Sequence, residues 1–239
     1  MNTKIVAAMA LVALAGSANA ETVLVWGTGN DNVGGSNANI AAWLQASGRF
    51  TSVSATGQEY VDFDTLNSYD KVFYFSNTSS LQDPTAVGNV LADFADTGKR
   101  LVLGTFAWAD QGANTLGGRI MSDAISPFTI TGSSIYNNVT IGSTDGSLFW
   151  GGVNSINGFF HDNVGVAAGA TLRGSWSDGS PLLATKGNVV AVNLFADDAF
   201  GNVGGDHRQL FVNALDEVPA PGTVGALSIF GLAALRRRR

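Results

Sequence analysis

The sequence predicts an α/β domain with an open, mostly parallel sheet and helices on both faces. Continuous apolar runs at residues 22–26, 71–76, 100–105 and 188–195 are typical of strands buried on both sides. Amphipathic segments at residues 38–47 and 84–96 alternate with these runs, and a last one follows residue 206. This alternation of strands and helices indicates a parallel sheet rather than a sandwich.

The helices carry start signals in the sequence. Asn37 is predicted to cap the first helix through its side chain. Asp83 followed by Pro84 predicts an N-cap and the first helical position of the second helix. Asp206 is predicted to cap the last helix.

The segment from about residue 128 to 180 has a different composition. Ser, Thr, Asn and Gly dominate it, and its aromatic residues are isolated. Such a composition predicts short strands and long loops. We expect this β- and loop-rich insertion to lie over one edge of the sheet.

The first twenty residues have the layout of a secretory signal peptide. Lys4 precedes an apolar stretch, and Ala18 and Ala20 form the small-residue pattern of a cleavage site. The stretch is too short to span the roughly 30 Å hydrocarbon core of a bilayer. We therefore expect export and cleavage after Ala20, with a domain over residues 21–217.

Residues 218–239 form a second signal with three ordered parts. Pro219, Ala220 and Pro221 favour an extended chain, because proline cannot continue a helix. A short apolar run follows, and after it stands an arginine cluster: Arg236, Arg237, Arg238 and Arg239. Basic residues beside an apolar segment are retained on the cytoplasmic side of a membrane.

This tail resembles the PEP-CTERM sorting signal, with Ala220 in place of the usual Glu. The resemblance implies an exosortase-type processing enzyme as a partner and transient anchoring in the inner membrane through a short transmembrane helix. It also implies delivery to the cell surface or extracellular matrix, with extracellular polysaccharide as a further expected partner.

Charge and cysteine content exclude several classes of function. Residues 21–217 carry eight Lys and Arg against nineteen Asp and Glu, a net charge of −11. Nucleic acid is therefore not expected as a partner, because phosphate binding needs a basic surface. The chain has no cysteine, which excludes thiolate nucleophiles and zinc-thiolate sites.

The domain resembles the flavodoxin-like layout of class I glutamine amidotransferases and ThuA-like proteins. The opening strand and the final strand and helix, residues 189–215, carry this resemblance. In the amidotransferases the fourth strand leads to a cysteine nucleophile, but here the sequence continues Thr105, Phe106, Ala107. Phe106 is no nucleophile, and His207 lacks the expected Glu two residues later, so glutaminase activity is excluded.

Ligands of open parallel sheets bind beyond the carboxyl ends of the strands. Polar or aromatic residues that follow these ends are candidates for a ligand crevice, namely Asn30, Asp31, Asn77, Trp108 and Asp198. The same residues also suit simple turns. A weaker hypothesis places Ca²⁺ at Asp197, Asp198 and Asp206, although an acidic loop and a helix cap explain them without metal.

Two functions remain open at this point. The first is a non-catalytic structural or ligand-binding component of the cell envelope. The second is a hydrolase or carbohydrate-active enzyme, with Asp31, Asp110 or Asp198 as the acid or base. A crevice carboxylate with a raised pKa would favour the enzyme.

Overall fold

The computed structural model describes residues 21–28, 35–76, 81–109, 115–199 and 201–216. The signal peptide and the sorting tail, with Ala18, Ala20, Pro219 and the arginine cluster, lie outside these residues. Within the described ranges, no helix is long and apolar enough to cross a membrane.

The element bounds are as follows. The helices are α1 (Ser36–Ala46), α2 (Phe63–Asn67), α3 (Pro84–Asp96), α4 (Gly118–Ser122) and α5 (His207–Leu215). The strands are β1 (Thr22–Thr28), β2 (Ser52–Thr56), β3 (Lys71–Ser76), β4 (Arg100–Gly104), β5 (Phe128–Ile130), β6 (Ile135–Thr144), β7 (Ile156–His161), β8 (Val164–Val166), β9 (Thr171–Trp176), β10 (Pro181–Lys186), β11 (Val189–Val192) and β12 (Val203–Gly205).

Ten of the described strands form one sheet in the order β12-β7-β6-β9-β10-β11-β4-β3-β1-β2. The five strands from β11 to β2 are parallel neighbours, as predicted. The polypeptide enters this half at β1 and completes it only with β11, which pairs with β4. The fold class is therefore an open α/β sheet.

Helices cover both faces of the parallel half, which explains its continuous apolar runs. On one face Val23, Val25, Val190 and Val192 pack in a cluster that also contains residues of α1 and α5. On the other face Leu24, Leu101 and Ala191 pack with α3 and α4. All four valines have no exposed surface, as expected for strands with helices on both sides.

The insertion extends the sheet instead of lying over its edge. Strands β10, β9, β6, β7 and β12 each pair antiparallel with their neighbour, and they continue outward from β11. Strands β5 and β8 form a separate pair. The predicted placement over one edge was therefore wrong, because strands β9, β6 and β7 of the insertion continue the sheet outward from β10, which itself pairs with β11.

The helix starts agree with the sequence only in part. The Asp83 carboxylate accepts a hydrogen bond from the Ala86 N–H at 2.8 Å, which confirms the predicted cap of α3. Helix α1 begins after Gly35, whose left-handed conformation occupies the N-cap position. Asn37 is thus inside the helix, and its amide donates to the Gly27 carbonyl at 3.0 Å, so the predicted cap there was wrong.

Candidate functional site

The carboxyl edge of the parallel strands was predicted to form a ligand crevice. Asn30, Asp31, Asn77 and Asp110 lie outside the described residues. Trp108 is fully buried, and its indole packs against Phe128 with ring centroids 5.2 Å apart. Trp108 therefore belongs to the core on the α3 face and does not form an open wall.

The turn after β4 contains Phe106, the residue at the position where the sequence resemblance would place a nucleophile. The Phe106 N–H donates to the Ser76 carbonyl at 3.2 Å, which ties this turn to the end of β3. The ring is half-buried against Phe160 and Phe195, at centroid distances of 5.6 and 5.7 Å. A hydrocarbon ring at this point supplies packing and no nucleophilic atom.

Asn193, directly after β11, is the centre of a buried polar network. Its side-chain oxygen accepts from the Asp162 N–H at 2.6 Å and from the Thr105 hydroxyl at 3.2 Å. Its amide group donates to the carbonyls of Asp162 and Pro181, at 2.8 and 2.9 Å. Its own carbonyl accepts from the Trp176 indole N–H at 3.0 Å. One side chain therefore joins the parallel half to the antiparallel half.

The Asp162 carboxylate is buried at the edge of this network. It has no exposed surface, and it accepts hydrogen bonds from the Ser134 hydroxyl at 2.6 Å and the Trp108 N–H at 3.2 Å. Burial raises the pKa of Asp162 to about 6 and outweighs these two bonds, which act in the opposite direction.

We expect the raised pKa of Asp162 to appear as pH-dependent stability. The folded protein holds this proton more tightly than the unfolded chain, so ionisation lowers the free energy of unfolding as pH rises from about 4 to 6. The difference between this pKa of about 6 and the ordinary value of an aspartate corresponds to roughly 3 kcal/mol in the free energy of unfolding. Above about pH 6 the Asp162 carboxyl is ionised in both the folded and the unfolded protein, so it changes the free energy of unfolding no further.

Urea unfolding of the wild type and Asp162→Asn between pH 4 and 8 tests this expectation. His161 and His207 have pKa values lowered by burial and push total stability the other way, so the difference between the two curves is the quantity to follow. That difference should fall between pH 4 and 6 and then level off. Parallel curves for the two proteins would contradict a raised pKa at Asp162.

The loop after β11 contacts the start of α1. Asp197 is fully buried and accepts hydrogen bonds from the Ser36 hydroxyl and, at 2.6 Å, from the Asn39 amide. The Asp198 carboxylate accepts from Arg208 at 2.7 Å and lies 3.3 Å from the His207 ring nitrogen Nε2. Burial acts to raise the pKa of Asp198, but the bonds from Arg208 and Asn39 outweigh it and lower the pKa.

The three calcium candidates have separate roles in the structure. Asp206 accepts from the backbone N–H groups of Asn154 and Ser155, at 2.8 and 3.1 Å, and these bonds lower the pKa of its carboxyl. Its side chain thus ties the segment before β7 to the start of α5, and it makes no capping hydrogen bond. Within the described residues, no three His, Asp or Glu side chains converge as metal ligands.

A polar cleft of about 300 Å³ lies at the opposite, amino edge of the sheet, lined in part by Glu21, Lys71, Lys99 and Arg100. The Lys71 ammonium group is buried, contacts the Glu21 carboxylate at 3.0 Å and donates to the Leu215 carbonyl at 2.9 Å. Lys99 donates to the Asn67 carbonyl at 2.6 Å. Lys71 therefore links the start of β3 to the end of α5, and Lys99 links the segment before β4 to the end of α2.

Sequence reasoning missed Asp162 and Asn193. Asn193 follows a strongly apolar strand, which was a detectable signal for a buried polar residue at a strand end. Asp162 stands in the polar insertion without any such signal, and its partners Trp108 and Ser134 are distant in sequence.

Comparison with known proteins gives the fold and no more. No family model matches the sequence, and neither does any curated protein. A cytoplasmic protein of Salmonella typhimurium is similar in structure, with a TM-score of 0.59, 12% identity, and 81% of this chain and 97% of that chain covered. A protein of Bacteroides uniformis described as ThuA-like has a TM-score of 0.56 and 11% identity, covering 86% of this chain and 94% of its own.

A third similar structure is a Thermoplasma acidophilum protein described as a GMP synthase component, with a TM-score of 0.54 and 10% identity. It aligns over 89% of this chain and 98% of that chain. The described domain is thus an α/β protein with the fold of ThuA-like and glutamine amidotransferase-like proteins.

Proposed function

We propose that this protein is an exported, envelope-sorted component of the cell surface or extracellular matrix. In this proposal its α/β domain has a structural or ligand-binding role and is not catalytic. The observation that carries the non-catalytic part is Phe106, which stands at the turn where this fold can present a nucleophile. The polar groups behind it, Asn193 and Asp162, are fully buried and hydrogen-bonded to the protein itself. They hold two halves of a sheet together.

The ends of the sequence support the proposed location. Ala18 and Ala20 suit a signal peptidase, and the Pro-Ala-Pro segment, the apolar run and the arginine cluster suit an exosortase-type enzyme. The inner membrane would hold the tail until it is processed. The surface of residues 21–217, with a net charge of −11, suits a soluble exported domain.

Replacing Arg236, Arg237, Arg238 and Arg239 by serine should abolish retention of the unprocessed protein at the membrane. Without the cationic stop, a short apolar run gives only a marginal anchor. Fractionation of the producing cells, followed by immunoblotting, should find the unprocessed chain in the periplasm or medium. A control variant with lysine at all four positions keeps the positive charge and should therefore preserve membrane retention and processing. Unchanged retention in the serine variant would contradict the sorting signal.

The enzyme alternative keeps Asp31 and Asp110, which lie outside the described residues, and gains Asp162, because a pKa of about 6 is suitable for a general acid. Asp198 is less suitable, because its lowered pKa keeps it ionised. A panel of chromogenic glycosides and esters, assayed with the wild type and Asp162→Asn, distinguishes the two functions. We expect no turnover above background with either protein. Turnover that disappears in Asp162→Asn would establish the enzyme instead.

A further inference from the structure

Five aromatic rings form a continuous cluster at the carboxyl edge of the sheet, which we call the aromatic cluster: Phe106, Tyr136, Phe159, Phe160 and Phe195. Phe160 is its centre, with ring centroids 5.0 Å from Phe159, 5.5 Å from Tyr136 and 6.0 Å from Phe195. The cluster leads from the surface into the core, because Tyr136 is 51% exposed and Phe195 only 4%.

The position of the aromatic cluster coincides with the place where this architecture binds ligands. Phe106 follows the carboxyl end of β4, and Phe195 follows that of β11. Strands β6 and β7 of the antiparallel half bring Tyr136 and Phe160 next to them, since these two residues are paired across the ladder. Open parallel sheets bind ligands beyond these strand ends. The inserted strands thus contribute an aromatic surface to this edge.

Packing in the core explains the three inner rings of the cluster. It does not explain why the two outer rings reach the surface. Phe106, Phe160 and Phe195 pack on the core beneath the sheet edge. Tyr136 and Phe159 continue the cluster beyond these three rings; Tyr136 leaves half of its surface in water, and Phe159 is half-buried. A single exposed aromatic is ordinary, but here the exposed Tyr136 adjoins the partly exposed Phe159 and Phe160, and a contiguous apolar patch of this kind indicates a binding surface.

The chemistry of the surface selects the kind of ligand. Aromatic faces carry negative π density and attract the polarised C–H groups on one face of a sugar ring. Exposed amides on the same strand, at Asn137 and Asn138, are hydrogen-bond partners suited to sugar hydroxyls. Residues 21–217 carry a net charge of −11, so acidic glycans and nucleic acids are repelled. A neutral sugar polymer fits both properties.

We propose that the aromatic cluster is a binding site for a neutral polysaccharide, with Tyr136 and Phe159 as stacking platforms for successive sugar rings. This site deepens the proposed function, on which it rests for the extracellular source of the polysaccharide. The partly exposed rings of Tyr136 and Phe159, whose planes are inclined by 54°, can each stack on a different sugar ring of an extended chain, whereas a small molecule would need a concave pocket.

Affinity electrophoresis of the full-length protein in mild detergent tests the site. Native gels would contain dextran, galactomannan or hydroxyethylcellulose as neutral probes, and alginate as an acidic one. At least one neutral polymer should retard the wild type, and alginate should not. Tyr136→Ala should weaken the association constant about tenfold, and Phe159→Ala should weaken it similarly, because each removes one stacking face.

Tyr60→Ala is the matched control, since Tyr60 is also 51% exposed but lies outside the aromatic cluster. It should leave retardation unchanged, and all three variants should keep the melting temperature of the wild type within a few degrees. The proposal is overturned if no neutral polymer retards the wild type, if alginate alone does so, or if Tyr136→Ala and Tyr60→Ala behave alike.

Cell fractionation of Tyr136→Ala separates this proposal from the proposed function. The binding variant should be exported and processed like the wild type while polysaccharide binding is lost. Conversely, unchanged retention of the arginine-to-serine variant would contradict the sorting signal but leave the gel result standing. The two experiments therefore show separately whether the polysaccharide site fails and whether the sorting signal fails.

Discussion

Replacing Asn193 by leucine is expected to lower the free energy of unfolding by about 4 kcal/mol or more, a large part of the stability of a domain this size. Leucine has a similar size but leaves the Asp162 N–H and the carbonyls of Asp162 and Pro181 without their present partner. Each unsatisfied buried group costs about 1–3 kcal/mol. Urea unfolding monitored by tryptophan fluorescence would measure the loss.

Asn138→Leu is the control for this substitution, because Asn138 is exposed on β6 while Asn193 has no exposed surface. It should change the free energy of unfolding by no more than about 0.5 kcal/mol. An Asn193 variant as stable as the wild type would mean that the buried network contributes nothing net, and the proposed joining of the two halves would be wrong.

Replacing Val192 by aspartate is expected to prevent folding altogether. Val192 has no exposed surface and lies between Leu183 of β10 and Gly104 of β4, within the cluster beneath α5. An aspartate there either buries an unpaired charge or takes up a proton, and both cost free energy without a compensating hydrogen bond. The variant should lack a cooperative urea transition and should be cleaved rapidly by protease.

Thr140→Asp serves as its counterpart, because Thr140 is exposed on β6. It adds the same charge to the antiparallel half, and its unfolding curve should overlay that of the wild type. A folded, protease-resistant Val192→Asp protein would show that β11 is not buried on both faces, and the placement of the carboxyl edge would have to be revised.

The parallel half of the sheet could be predicted because its signal is local. The runs at β1, β3, β4 and β11 are apolar on both faces, and the Asp83 and Pro84 pair marks a helix start without reference to the rest of the fold. A local pattern of this kind survives whatever the tertiary arrangement is. The fold class was confirmed for this reason.

The antiparallel half could not be predicted in part because its longest strand, β6, is mostly exposed. In β6 only Val139 is buried, so the alternation of apolar and polar residues that marks a half-buried strand is missing. The single buried valine does not reveal which strand it faces. Its pairing with β7 and β9 is set by tertiary contacts alone.

The ligand crevice stays a prediction, and the sequence did not single out the buried polar residues at this edge of the sheet. The strand ends do converge, yet the polar residue that matters is Asn193, and the acid is Asp162 from the insertion. The hydrogen bond between Thr105 and Asn193 joins residues 88 positions apart. No sequence pattern encodes such a partnership, and the polar residues after β1, β3 and β4 remain predictions, since they lie outside the described residues.

The pairing of β11 with β4 has a consequence for the order of folding. Strand β4 ends at Gly104, but the neighbour that covers its open side begins only at Val189. A polypeptide that emerges amino end first therefore presents β4 as an unprotected edge until nearly all of the domain has appeared. Contacts so distant in sequence also form slowly, because a long loop must close first. The parallel half of the sheet can therefore be completed only after nearly all of the domain has been synthesised.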